Sequence, residues 1–282
     1  MQKVKNFFGL LASDLIKLSR MKSIYIGVAV MVFLAAIITL AQSALAGFLQ
    51  DYPADGVTGS VGAEDIAATF MFSLLNAAPS STGVFFLVPI IAALFIGNDF
   101  SSGMMRLYIG RGVRKTELYV SKFITITLLT LIYTCISFAV CAVCAKASGM
   151  SAETSATVFS YTADAFGAYV LLAFVMSAIY TSVCFLVRSK AGSMALLIVM
   201  LIVLGDILVT VVQIALATAV TGTDVTGRFV YMHFDPYYCA DAFAYARDFT
   251  SQTKAIAYGG SVMWLVFFFA GGLLLNAKRD VK

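Results

Sequence analysis

The sequence predicts an all-α polytopic membrane protein with six transmembrane helices in one domain, residues 1–282. Hydrophobic residues make up 61% of the chain and charged residues only 12%, whereas soluble domains carry about 25% charged residues. Six apolar stretches come close to the roughly 20 helical residues that cross a bilayer. Basic residues collect in every second segment between these stretches, as expected for a chain that crosses a membrane repeatedly.

The N-terminal segment, residues 1–23, is predicted to be an amphipathic interfacial helix. Val4, Phe8, Leu11, Leu15 and Leu18 recur at helical spacing, and most basic residues fall elsewhere around the helix. Such a helix lies along the inner leaflet with its apolar face toward lipid. A solvated basic tail is the alternative.

The six spans are predicted at residues 24–46, 81–97, 121–145, 165–187, 191–220 and 256–276. The second is short and contains Pro89, so it is expected to be kinked or to begin earlier. The fifth has 30 residues, which exceeds one crossing, and we expect it to tilt or to extend beyond the bilayer.

The distribution of Lys and Arg predicts the orientation. Of the 19 basic residues, 15 lie in the N-terminal segment, in or beside the second connector (residues 98–120), in the fourth connector and at the C-terminus. Cytoplasmic loops hold such an excess, so both termini are predicted to be cytoplasmic. The net charge of +4 then reflects topology, and no nucleic-acid partner is needed to explain it.

The sequence contains no motif of a known enzyme active site. It has no G-x-x-x-x-G-K-[ST] phosphate loop, no H-E-x-x-H and no G-x-S-x-G. Cys141 and Cys144 have C-x-x-C spacing, but no second pair or nearby His completes a zinc site. His233, the only histidine, lies in an aromatic outer segment where a structural role is expected. We therefore predict a protein that is not an enzyme, with no catalytic residues, no metal site and no bound cofactor.

Two predicted extracellular segments are long enough to fold. Residues 63–78 have apolar residues every fourth position, as in a helix, and residues 221–255 form an elaborated loop before the sixth span. The tyrosines of this loop, Tyr231, Tyr237, Tyr238 and Tyr245, are typical of anchors at the membrane interface. A substrate exit surface or a lid is the alternative.

Polar residues inside the predicted spans mark a candidate substrate path. Asp206 lies in the fifth span, with Thr210 and Gln213 on the same helical face. An acidic residue there is costly in lipid and is expected to face the helix bundle or a cavity, in a structural or a gating role. A stripe of small hydroxyl residues in the third span allows either helix packing or a pathway lining; it includes Thr130, Thr134 and Ser137.

The second connector is predicted to form a short cytoplasmic helix between two membrane helices. Asp99 or Ser101 can cap its N-terminus, Arg106 follows, and Gly110 and Gly112 interrupt the chain before the third span. A solvated basic loop that only sets the topology is the alternative.

This connector resembles that of the ABC-2 family of ATP-binding-cassette export permeases, in which an acid, a Gly, an Arg, a Gly turn, a basic pair and a small residue followed by Lys succeed the second span. Met104 departs from the family pattern, which commonly has a hydroxyl residue after the Gly. The resemblance rests on Asp99, Gly103, Arg106, Gly112, Arg114, Lys115, Ser121 and Lys122.

The resemblance implies that the connector is a coupling helix that docks on a separate ATPase subunit. The ATPase-coupling residues implied in this way are Asp99, Phe100, Gly103, Arg106, Arg114 and Lys115. ATP and Mg would then be bound by the partner subunit, and this chain would bind neither.

The resemblance further implies a bacterial exporter in the cytoplasmic membrane, built from two permease copies and two ATPases. A homodimer is the simpler arrangement, and a heterodimer stays open. The Phe-rich spans favour an amphipathic or hydrophobic substrate, with a peptide preferred. The alternative is a secondary transporter or channel that uses Asp206 as an ion or proton site, although the first and last three spans show no convincing repeat.

Overall fold

A computed structural model describes residues 2–51, 84–147, 152–202 and 251–278, and within these ranges the protein is helical and contains no strand. The predicted outer helix at 63–78, residues 221–250 of the outer loop, and Asp206, Thr210 and Gln213 lie outside these ranges. The helices are α1 (Gln2–Ser19), α2 (Lys22–Asp51), α3 (Val84–Ser101), α4 (Met104–Gly110), α5 (Lys115–Ala147), α6 (Ala152–Val187), α7 (Lys190–Ile202) and α8 (Ser251–Lys278).

The helices extend beyond the predicted spans. α5 begins six residues before the predicted start at Ser121, and α6 begins 13 residues before the predicted Ala165. The sequence prediction followed the apolar stretches, whereas the helices continue into more polar residues such as Lys115, Glu117 and Glu153. α3 contains Pro89, as expected, and is described from Val84 onward.

Three described segments are long and apolar enough to cross a membrane: Lys115–Ser137, Val170–Val187 and Tyr258–Lys278. A fourth is added if Leu87–Ser101 and Met104–Gly110, which bend by 62°, count as one broken span. Lys22–Leu34 and Lys190–Met200 are shorter apolar helical segments. The described residues thus confirm an all-helical membrane protein, and six spans stay a prediction.

The helices pack around α5 and α6. α8 lies along α6, α7 along α3, and both α1 and α2 along α5, while α3 also contacts α6. The large side chains that are fully buried between these helices include Phe95, Ile96, Tyr119, Ile126, Tyr133 and Met176. The core therefore lies among α3, α5 and α6, and the other described helices surround it.

The predicted hydroxyl stripe of the third span lies inside this core. Thr130, Thr134 and Ser137 are all buried, and the Thr130 hydroxyl lies 3.1 Å from the Ser177 hydroxyl of α6. Thr130 and Thr134 also donate to the carbonyls four residues earlier. In this structure the stripe packs α5 against α6, as small hydroxyl residues do in membrane bundles. Its participation in a substrate path stays a prediction.

Glycines allow several of these helices to approach each other closely. A Cβ added at Gly97 of α3 would lie 2.8 Å from the Lys190 Cα of α7, and one at Gly27 of α2 would lie 2.6 Å from the Tyr133 hydroxyl of α5. At Gly97 the obstacle is backbone, so moving one side chain cannot relieve the clash.

We expect Gly97→Ala to lower stability by about 1–3 kcal/mol, because α3 and α7 must separate to admit the methyl group. Helix propensity alone would favour Ala over Gly by roughly 1 kcal/mol, so the sign of the change identifies the close approach. Thermal unfolding of the purified protein in detergent measures it. Gly259→Ala in α8 is the matched control, since nothing lies within 4 Å of a Cβ there. Equal behaviour of the two variants would contradict the packing described here.

Candidate functional site: the short helix and the buried ion cluster

The predicted cytoplasmic segments meet at one end of the helix bundle. α1 packs on α5 near its start, Gly97 approaches Lys190, and the Asn276 amide of α8 donates to the Lys115 carbonyl at 2.9 Å. These contacts bring together parts of the N-terminal segment, the second and fourth connectors and the end of α8. The described parts of the segments that charge assigns to the same side of the membrane thus lie at the same end of the helix bundle.

The second connector contains the predicted short helix, but its position and cap differ from the prediction. The helix α4 is Met104–Gly110, and its N-cap is Gly103 in the left-handed conformation, with φ 71° and no side-chain cap. The prediction that Asp99 or Ser101 caps it is wrong, because both residues belong to the last turn of α3. The Ser101 and Ser102 hydroxyls instead donate to the Asn98 carbonyl.

The end of α4 is defined by glycine chemistry, as predicted. Gly112 has φ 85°, a conformation that glycine adopts without the steric cost of a Cβ. The Gly112 amide donates to the Ile109 carbonyl and the Val113 amide to the Tyr108 carbonyl, which together form a Schellman motif. Left-handed glycines therefore bound α4 on both sides and set its direction relative to α3 and α5.

α4 exposes one face of mixed character. Met105 is buried beneath the helix, whereas Arg106, Leu107, Gly110 and Arg111 are exposed and lie on one side of it. Leu107 is 46% exposed although it is apolar. We call Arg106, Leu107, Gly110 and Arg111 the docking face, after the role that we propose for it below.

Four charged side chains from three helices form an ion cluster around Asp99, which lies shortly before α4 in the chain. Its members are Asp14 and Lys17 of α1, Asp99 of α3 and Lys122 of α5. The Lys122 Nζ lies 2.6 Å from Asp14 Oδ1 and 2.5 Å from Asp99 Oδ2. Lys17 forms an ion pair with the other carboxylate oxygen of Asp99. The Ser121 hydroxyl donates to Asp14 Oδ2 at 2.7 Å.

The ion cluster is largely removed from solvent. Asp14 and Asp99 are each 1% exposed and Lys122 is 0% exposed, while the Lys17 side chain is 36% exposed. Burial and the nearby Lys122 ammonium lower the pKa of Lys17, and the Asp14 carboxylate opposes this shift. Two acids and two bases balance, so the cluster carries no net formal charge. The Lys122 ammonium also lies 4.2 Å from the centroid of the Phe95 ring, a cation–π contact.

The structure separates the six residues implied to couple to an ATPase. Asp99 is enclosed in the ion cluster, so its carboxylate binds the chain's own lysines and does not reach the surface. Arg106 and Arg114 are exposed, whereas Lys115 is half-buried. Gly103 forms the left-handed turn before α4.

Phe100, the remaining residue of that set, packs inward. Its ring lies 5.5 Å from that of Phe185 at the end of α6, in an edge-on arrangement. Phe185 lies 5.2 Å from Tyr119 of α5, which in turn lies 5.7 Å from Phe269 of α8. Adjacent residues at the end of α3 therefore connect to different helices: Asp99 to α1 and α5, and Phe100 to α6, α5 and α8.

Asp14 and Lys17 were not predicted as site residues. Asp14 lies one helical turn from Leu10 and from Leu18, and all three are buried against the protein. Of the residues predicted to face lipid, Phe8 and Leu15 are exposed but Leu18 is buried against the protein, so the predicted apolar face of α1 is only partly correct. The sequence feature that could have identified Asp14 is an acidic residue in a basic segment, spaced four residues from Leu10 and from Leu18 and so on the same helical face.

Comparison with known proteins gives one finding. A family model described as ABC-2 family transporter protein matches residues 10–205, a range that contains the ion cluster and α4. No match is found among curated proteins.

Replacing Lys122 with Met should destabilise the protein by about 3–5 kcal/mol, because two buried carboxylates would be left with Lys17 alone. The combined replacement Asp14→Asn and Lys122→Met should recover much of that loss, since Asp99 stays paired with Lys17 and no uncompensated buried charge remains. Thermal unfolding in detergent compares the two. Arg20→Met, at an exposed position, serves as the control. A combined variant that is less stable than Lys122→Met would refute this electrostatic account.

Proposed function

Because this chain belongs to the ABC-2 family of transporters, we propose that it is the permease of an ATP-driven exporter that works with a separate ATPase subunit. ATP and Mg bind to that subunit, and this chain is not itself the catalyst of hydrolysis. The permease moves its substrate outward from the cytoplasm or the inner leaflet by alternating access.

The observation that carries this proposal is the docking face, held at a defined angle to the membrane helices. α4 is bent by 62° from α3 and bounded by left-handed glycines. Its two ends are tied to the bundle, through Asp99 before it and through the Asn276–Lys115 hydrogen bond after it. A short helix restrained in this way can pass a movement of a bound partner to α3 and α5.

The docking face also indicates what the partner surface is like. Leu107 is expected to enter an apolar depression, with Arg106 and Arg111 meeting acidic groups around it. Arg114 lies beyond the helix and adds a further exposed base, whereas Asp99 and Phe100 support α4 from inside. This division revises the role of Asp99 from a contact residue to a supporting one.

The assembly and its location follow from the same proposal. The chain lies in the bacterial cytoplasmic membrane with six spans and with both termini and α4 in the cytoplasm. Two permease copies, identical in the simplest arrangement, form the pathway, because six helices are few for an enclosed path. The exposed apolar residues of α2 and α8, among them Tyr25, Phe33 and Phe267, provide surface for lipid or for a second copy.

The substrate is proposed to be amphipathic or hydrophobic, with a peptide preferred. The sequence supports this choice through its 23 Phe residues, most of them in apolar segments. Asp206, Thr210 and Gln213 are proposed to contribute to the path or its gate, and Thr130, Thr134 and Ser137 to border it.

Weakened docking is expected for Leu107→Ala combined with Arg106→Glu. The change removes the apolar contact and reverses one charge, and we expect the affinity for the ATPase to fall at least tenfold, or about 1.4 kcal/mol. Titration of the purified ATPase onto the permease in lipid nanodiscs measures the dissociation constant.

Lys278→Glu is the matched control for this test, because it is an exposed base at the end of α8 and lies outside the docking face. It should retain the wild-type affinity. Equal binding by all three proteins would reject α4 as the docking site, and absence of ATPase binding by the wild type would reject the proposed function.

The proposed topology predicts that both termini face the cytoplasm. Green fluorescent protein fused after Lys282 should fluoresce, and alkaline phosphatase fused at the same point should be inactive, since that enzyme matures only outside the cytoplasm. The reverse pattern would place the C-terminus outside and would remove α4 from reach of a cytoplasmic ATPase.

A further inference from the structure

The ion cluster joins α1 to the end of α3, from which α4 with its docking face begins. We infer that Asp14 and Lys122 are positioning residues for α4: by holding Asp99 at the end of α3, they connect α1 to the docking face so that α1 and α4 move together. This inference rests on the proposed function for the purpose of the movement, whereas the connection itself can be tested on the permease alone.

The geometry gives Lys122 the central place. Its ammonium contacts Asp14 of α1 and Asp99 of α3 at 2.6 and 2.5 Å, and it belongs to α5. One side chain therefore joins three helices. Asp99 lies two residues before the end of α3 and four before Gly103, where the chain turns into α4. A displacement of Asp99 would thus change the start of α4 directly.

Each member of the cluster is further restrained, which makes the connection stiff. Ser121 donates to the second oxygen of Asp14, and Lys17 pairs with the second oxygen of Asp99. The Phe95 ring lies beside the Lys122 ammonium, one turn before Asp99 on the same helix. Each carboxylate thus has two partners, three of the four contacts being hydrogen bonds and the fourth, between Lys122 and Asp99 Oδ2, an ion pair without a hydrogen bond.

Stability alone does not account for such a cluster. Buried ion pairs are often no more stabilising than well-packed apolar residues of similar volume, because desolvation offsets the attraction between the charges. They do impose a specific arrangement, since a misplaced helix would leave a buried charge without a partner. The cluster is therefore suited to setting the position of α1 relative to α3 and α5.

The face of α1 opposite the ion cluster is suited to contact the membrane. Phe8, Leu15 and Ile16 are exposed and apolar, as expected for a helix that rests against the lipid of the inner leaflet. Leu10, Asp14 and Leu18 face the protein. α1 therefore contacts lipid on one side and the support of the docking helix on the other.

The first part of the test uses the full-length permease alone in lipid nanodiscs, with spin labels at Ala12→Cys in α1 and Gly110→Cys in α4 after replacement of the native cysteines. Both positions are exposed, and a Cβ at Gly110 has nothing within 4 Å. Pulsed electron paramagnetic resonance should give one narrow distance distribution for the wild type and for Arg20→Gln. In Lys122→Met and in the milder Asp14→Asn, the distribution should become at least twice as wide.

A reference pair separates positioning from general loss of structure. A background that keeps the exposed native Cys135 of α5, with Val266→Cys in α8, reports on the bundle itself. Its distribution should stay unchanged in Asp14→Asn. Broadening of both pairs to the same extent would show a merely structural role and would overturn the inference, as would an unchanged α1–α4 distance in both variants.

The second part uses the complex with the ATPase, trapped with ATP and vanadate, and labels at Ala12→Cys and Val266→Cys. Trapping should shift the α1–α8 distance in the wild type, and Asp14→Asn should reduce that shift at least twofold when samples with equal amounts of bound ATPase are compared. A bound ATPase without a shift in the wild type would overturn the joint movement. Failure of the wild type to bind an ATPase would instead reject the proposed function and leave the first part standing.

Discussion

One buried ammonium group organises the end of the bundle on which the proposed activity depends. Lys122 has no exposed surface, and among the described residues the carboxylates that balance its charge belong to two other helices. A charge in such a place is costly unless it is paired and hydrogen-bonded. The positions of α1 and of the end of α3 are therefore coupled: if either helix moves away, a buried charge loses its partner. The chain turns into α4 four residues after Asp99, so this pairing fixes the point from which the bend begins.

The bend also depends on contacts made by uncharged residues. Phe100 leads through Phe185 and Tyr119 to Phe269, so the end of α3 is linked to α6, α5 and α8 by aromatic packing. An aromatic pair contributes about 0.5–1.5 kcal/mol beyond the area it buries, whereas removing one partner of a buried ion pair costs about 3–5 kcal/mol. The ionic side of the bend is thus expected to be the stiffer one. A partner that moves α4 would then act on α1 more directly than on α8.

Much of the fold could be predicted from the sequence, because bilayer thickness and backbone hydrogen bonding leave few choices for an apolar stretch of about 20 residues. The short helix after α3 was also expected, as was its end at Gly110 and Gly112. The role of Asp99 was predicted incorrectly in one respect. An acid ahead of a short helix has the pattern of an N-cap, and one-dimensional spacing does not distinguish that role from pairing with Lys17 and Lys122, which are 82 positions earlier and 23 positions later in the chain.

The sequence by itself determined the class of the protein, the segments that group at one end of the bundle and the family to which its connector is similar. These features depend on local composition and charge, which can be read from neighbouring residues without knowing which distant residues are in contact. Only the tertiary structure decided which charged residues are buried together and which are left on the docking face. Asp14 and Lys17 lie within a basic amphipathic segment, and their function becomes visible only when α1 packs on α5. The physical reason is that a buried charge requires partners in space, and those partners come from three separate helices.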